Sequence, residues 1–108
     1  MQITISGHHV DVTEAMRSRA YLLAAKVMKF FEGVTHVHVR MVVEADNRIA
    51  EFTAEAPHGK TLTAKSRAAD MYAALDEAVA KLDRQLTKHK EKLHERRTRA
   101  GRRAATSP

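Results

Sequence analysis

Cysteine is absent from the 108 residues, which excludes a disulfide framework and any Cys-ligated zinc or iron site. Tryptophan is absent too, and Phe and Tyr together number five, so the core is expected to be aliphatic and modest. No run approaches the roughly 18 apolar residues that a membrane span requires. The first residues enter an alternating segment with no basic stretch leading into an apolar one, and the reading predicts an unprocessed, cytoplasmic protein. A chain of this length holds one ordinary hydrophobic core, so one domain with a short tail is expected.

Negative charge is scarce only at one end. Residues 1–83 carry 10 Lys and Arg against 11 Asp and Glu, a net of −1, whereas residues 84–108 carry 9 against 2, a net of +7. A nearly neutral body with a concentrated cationic end points to a polyanionic partner. Nucleic acid fits better than a membrane surface, because the last fifteen residues lack a bulky apolar anchor.

Hydropathy periods set out the elements. Gln2 to Ser6 alternates, with Ile3 and Ile5 on one side, and reads as a strand before a turn at Gly7 to Val10. Asp11, three residues before Glu14, has the spacing of a capping box and predicts the start of a helix. Met16, Ala20, Leu23, Ala24, Val27, Phe30 and Phe31 form its apolar side, with Arg19, Lys26 and Lys29 pointing away and Gly33 closing it.

The period then changes to two. Val37, Val39, Met41 and Val43 share one face of a strand over 35–44, and His36, His38 and Arg40 share the other with Val42. Asp46-Asn47 predicts a hairpin turn into a strand over 48–56, and Pro57 to Gly59 a turn into a fourth strand over 60–66. From about Ala69 to Leu93 the helical period returns, with Met71, Leu75, Ala78, Val79, Leu82 and Leu86 as its apolar stripe.

These elements predict an α/β fold of the two-layer α+β type in the order β-α-β-β-β-α: a four-stranded mixed sheet with two helices packed on one face. Residues 1–95 form the domain, and residues 96–108, rich in Arg and small residues, form a basic tail expected to be disordered without a partner.

The long helix carries the clearest functional signal. At 100° per residue Lys81, Arg84, Lys88 and Lys92 fall within an arc of about 80°, roughly opposite the Leu stripe. Their ridge is about 16 Å long, enough for several phosphates, and Arg84 offers a bidentate contact that lysine cannot. Glu77, Glu91 and Glu95 lie near it, so the helix alone reads equally well as an ordinary solvated surface; the tail from Arg96 through Arg103 shifts the balance by continuing the positive charge without acidic compensation. Binding of this kind is salt-dependent and poor in sequence specificity.

Other groups carry weaker signals. Lys26 and Lys29 join the ridge if the helices lie side by side. His36, His38 and Arg40 on the open sheet face, with His58 or Lys60 at its rim, are further RNA contacts, although any water-facing strand alternates in this way. Seven histidines raise a metal site, but none forms His-Glu-x-x-His, and the sequence points to no metal and no cofactor. Asp70, Asp76 and Glu77 do not converge as an acid and base, Asp70 serving equally as a helix cap, and neither a nucleophile motif nor a phosphate loop is present, so no catalytic residues are assigned. Phe52 and Tyr72 read as core or near-core residues, which points away from base stacking.

The long helix also carries a resemblance. Asp70-Met-Tyr-Ala-Ala-Leu-Asp76, followed by Lys81-Leu-Asp-Arg-Gln-Leu-Thr-Lys-His-Lys90, closely resembles the bacterial ribosome hibernation promoting factor and ribosome-associated inhibitor family. The opening Gln2-Ile-Thr-Ile-Ser-Gly and the helix start Val12-Thr-Glu-Ala-Met are similar to its N-terminal segment, and the likeness spans about residues 1–95.

That resemblance implies the same fold and a non-enzymatic protein seated in the decoding region of the small ribosomal subunit. It implies contact with 16S ribosomal RNA, steric exclusion of messenger and transfer RNA, and silencing of translation in starved or stationary cells. Lys81, Arg84, Lys88 and Lys90 match the family's basic positions; Lys92, Lys26 and Lys29 complete the expected rRNA-binding set, with His89, Arg96, Arg97, Arg40 and His38 as additional contacts.

The length resembles the short forms, which favours promotion of inactive ribosome pairs together with ribosome modulation factor, and a monomer when free. The basic end is shorter than an inhibitor tail and lacks its acidic character. Two alternatives stand beside this reading: a general structured-RNA-binding module without a specific ribosomal site, and a protein-interaction domain using Val42 and Ile49 as an exposed apolar patch.

Overall fold

The computed structural model describes the backbone of residues 2–106 and the side chains of residues 2–92. Its elements run β1 (Gln2–His8), α1 (Glu14–Phe30), β2 (His36–Glu44), β3 (Asn47–Ala56), β4 (Lys60–Ala68) and α2 (Met71–Thr106). The strands lie in sequence order, β1 parallel to β2 and the remaining pairs antiparallel. The mixed sheet and the β-α-β-β-β-α order are those predicted. α1 lies over β1 and β2, α2 over β3 and β4, and the helices touch each other.

Local chemistry fixes the ends of the elements. Thr13, rather than Asp11, caps α1: its Oγ1 accepts the Met16 N–H at 3.1 Å, so the predicted capping box gives way to a simple threonine cap two residues later. β1 extends to His8 because pairing with β2 continues through His8 opposite Val42. After α1, Gly33 takes φ +90°, and a Cβ there would lie 2.4 Å from Pro57 Cγ, so both conformation and space require glycine. A two-residue turn at Ala45 and Asp46 closes the β2–β3 hairpin, with Ala45 at φ +53°. Asp70 begins α2, its Oδ1 accepting the Tyr72 N–H at 3.3 Å.

The core is aliphatic, as the scarcity of aromatics required. Phe52 is its largest fully buried side chain, surrounded by a cluster that includes Met41, Leu75, Leu82, Val27, Val37 and Val39. Burial of side chains of this size stabilises by about 1.5–3 kcal/mol each. The buried Ser66 hydroxyl donates to Glu77 Oε2 at 2.8 Å, which satisfies the polar group on β4 and ties the strand to α2.

Two expectations about apolar residues are corrected. Val42 and Ile49 are not an exposed patch: they face each other across β2 and β3, flanked in register by His8 and Arg67, and only 6% and 8% of their surface reaches solvent. Phe30, assigned to the buried side of α1, is 66% exposed. The helix ends at Phe30 and the chain turns out at Phe31, which takes the half-buried place instead. The α2 backbone stays helical to Thr106, through most of the segment read as a tail; the side chains of that segment lie outside the described residues.

Candidate nucleic-acid interface

α2 is placed so that its basic residues lie beside the edge of the sheet. Met71, Leu75, Ala78, Leu82 and Leu86 are buried against β3 and β4, and the flank next to β4 carries the polar groups that close that edge. Lys81 Nζ donates to the Lys65 carbonyl at 3.0 Å, and Gln85 Nε2 donates to the Thr63 carbonyl at 3.1 Å. Both carbonyls belong to the outermost strand, where no further strand supplies a donor.

Lys81, Arg84, Lys88 and Lys92 are all exposed. Lys81 stands on the β4 flank of α2, and helical spacing carries Lys92 and Lys88 close to it, while Arg84 points nearly opposite the buried stripe. Positive charge therefore wraps round the sheet edge. Lys65 and Arg67, two apart on β4, line a recess of about 540 Å³ together with Lys81 and Glu44. Neither residue is among those expected from the sequence; their i, i+2 spacing on a water-facing strand is the signal that marks them.

Lys90 belongs elsewhere. It lines a separate cleft with Lys29, on the side of α2 that faces α1, and both are exposed. Lys29 Nζ lies 5.9 Å from the centroid of the Phe30 ring. Lys26, also exposed, lines a smaller cleft with Asp83, where burial beside Leu23, Val27 and Val79 raises the Asp83 carboxyl above its ordinary value of 3.8. The helices are joined by Arg19 Nη2 and Asp76 Oδ1 at 2.8 Å, the one ion pair among the described residues. The other described lysines and arginines form no ion pair among the described residues.

The open sheet face holds a third group. His38 Nε2 lies 2.9 Å from Ser6 Oγ and His36 Nε2 lies 2.9 Å from Thr4 Oγ1, with the two rings stacked at 6.5 Å. Arg40 is exposed beside them in the sequence, opposite Ser6 and Glu51 in register. His38 and Arg40 thus face away from the helices, with the sheet between them and Lys26 or Lys29. His89 is half-buried and its Nε2 has no hydrogen-bond partner among the described residues. The side chains of Arg96 and Arg97 lie outside the described residues. Among the described residues no three His, Asp or Glu side chains form a metal-ligating group, and no helix is long and apolar enough to cross a membrane.

A two-layer domain whose positive charge runs along one helix and round the adjoining sheet edge has the electrostatics of a polyanion-binding protein. The chain belongs to the family described as Sigma 54 modulation protein / S30EA ribosomal protein, which it matches over residues 3–94. It is 45% identical over 92 residues to a ribosome hibernation promoting factor of Pseudomonas putida, covering 85% of this chain and 89% of that one. It is 43% identical over 108 residues to a ribosome hibernation promoting factor of Azotobacter vinelandii, covering 100% and 98%. The fold is shared with a ribosomal subunit interface protein from Coxiella burnetii at a TM-score of 0.77 and 25% identity, over 84% of this chain and 99% of that one. This is the family that the opening segment and the long-helix motif resemble, and it is one of ribosome-binding proteins rather than enzymes.

Proposed function

We propose that this protein is a cytoplasmic ribosome hibernation factor that occupies the decoding region of the small subunit and silences translation by excluding messenger and transfer RNA. The observation that carries this reading is the row of exposed cations Arg84, Lys88 and Lys92, which form no ion pair among the described residues, continued by Lys81, Lys65 and Arg67 round the β4 edge. Such a surface binds closely spaced phosphates, and the names of the relatives supply the ribosome as their source. Within this proposal 16S ribosomal RNA is the ligand, Lys26, Lys29 and Lys90 form a second contact zone, and no cofactor or covalent step is needed. Arg40, His38, His89, Arg96 and Arg97 are secondary contacts.

The names of the relatives favour the promoting branch, a monomer when free, which supports inactive ribosome pairs with ribosome modulation factor during stationary-phase or starvation stress. The test is competition: protein added to vacant small subunits should block binding of initiator transfer RNA and messenger at about one copy per subunit. Initiation complexes that form normally on subunits saturated with the protein would reject occlusion.

A further inference from the structure

Phe30 is out of place for a structural residue. It stands 66% exposed at the end of α1, in the mouth between two clefts, and with Phe31 it lines both. The larger cleft, of about 560 Å³, lies between the end of α1, the Pro57–Gly59 turn and α2. Its walls bring Lys29 and Lys90 from the two helices to the same opening, with Glu32 as the one acid. Its floor is apolar, from Phe31, Val34, Pro57 and Leu86.

Two further features mark this cleft. His58 takes φ +65°, in the left-handed region where a non-glycine residue is strained, and such strain gathers where a ligand is held. His89, half-buried in the same wall, keeps a ring nitrogen without a hydrogen-bond partner among the described residues. A flat exposed ring, an apolar floor and two flanking ammonium groups fit one kind of ligand well: a base outside a duplex, with phosphates on either side of it.

We propose that Phe30 is a stacking platform for an unpaired RNA base, held at the α1–α2 cleft with Lys29 and Lys90 taking the neighbouring phosphates. The inference rests on the ribosome-binding reading and deepens it. The β4-edge ridge recognises backbone charge wherever phosphates are closely spaced, whereas a stacking site adds a requirement for an extruded base and so a preference for one place on structured RNA. Lys29 Nζ stands over one face of the ring, 5.9 Å from its centroid, which keeps Phe30 in a polar setting and leaves the opposite face for the base.

The absence of tryptophan makes this testable with a single reporter. Phe30→Trp introduces the sole indole, and Phe30→Leu keeps apolar bulk without a π-face. Titrated against vacant small subunits, Phe30→Trp should bind within about twofold of the native protein and lose emission on binding, while Phe30→Leu should bind about tenfold more weakly. Both should melt with the native protein, since the side chain is exposed.

Native affinity in Phe30→Leu, or Trp emission that shifts to the blue without quenching, would overturn stacking and assign the ring to a protein contact; native binding in the same titration would leave the ribosome reading standing. A native protein that fails to bind small subunits would overturn that reading and this inference together.

Discussion

Lys81 Nζ donates a hydrogen bond to the backbone carbonyl of Lys65 at 3.0 Å, so a residue on the nucleic-acid face also fastens α2 to the free edge of the sheet. An ammonium has three donors, and one is spent on the fold while two remain for phosphate. Lys81→Ala should therefore lose both roles. Its stability in urea should fall by about 0.5–1 kcal/mol, at the low end for a bond on an exposed edge. Lys88→Ala, which removes an exposed lysine with no bond to the body of the protein, should leave the urea midpoint unchanged.

Arg84 and Lys88 separate affinity from folding. The double variant Arg84→Ala/Lys88→Ala removes two phosphate contacts, so the slope of log affinity for small subunits against log salt should become shallower by about 1.4. Titrations at several salt concentrations measure this directly. An unchanged slope would show that these residues do not meet phosphate.

Asp83 gives a pH signature. Burial raises its carboxyl above the ordinary 3.8, so the folded state holds the proton more tightly than the unfolded chain does. The folded protein then loses stability as pH rises from the ordinary value through the raised one, and the penalty is complete above it. Asp83→Asn should melt at a higher temperature than the native protein near neutrality. The difference should vanish near about pH 3, where both forms are neutral. A gain that persists in acid would assign the effect to something other than the buried charge.

Most of the fold was legible because two periods, 2 and 3.6, alternate along the chain and each element has one apolar side. The order of elements along the chain and the place of Phe52 in the core follow from that pattern. What the pattern misjudged depends on neighbours distant in sequence. Val42 and Ile49 lie on the outer sheet face yet are covered, because they sit in the middle of a four-residue row between His8 and Arg67. Phe30 has helical spacing for burial, but the chain leaves the helix there, and Phe31 takes the apolar place.

The basic residues were legible one by one but not as surfaces. Helical angles group Lys81, Arg84, Lys88 and Lys92, and the structure places the Lys81 side of that group against β4. Which flank it occupies is set by the Lys81 and Gln85 bonds to β4 carbonyls, which no local pattern reveals. Lys90 parts from the ridge and meets Lys29 because the turn of the helix directs it to α1. Lys65 and Arg67 were overlooked because alternation on a water-facing strand carries no weight until Lys81 is found beside them.

Occupancy of the small subunit is the central claim, and co-sedimentation tests it most directly. Full-length protein is mixed with vacant ribosomes or separated small subunits at near-physiological salt, with an unrelated structured RNA as competitor. The account predicts saturable binding at about one copy per small subunit that survives the competitor, with paired ribosomes in the same gradient when ribosome modulation factor is supplied. Binding that is lost to the competitor, or that shows no preference for the small subunit, would contradict it and leave a general structured-RNA-binding domain.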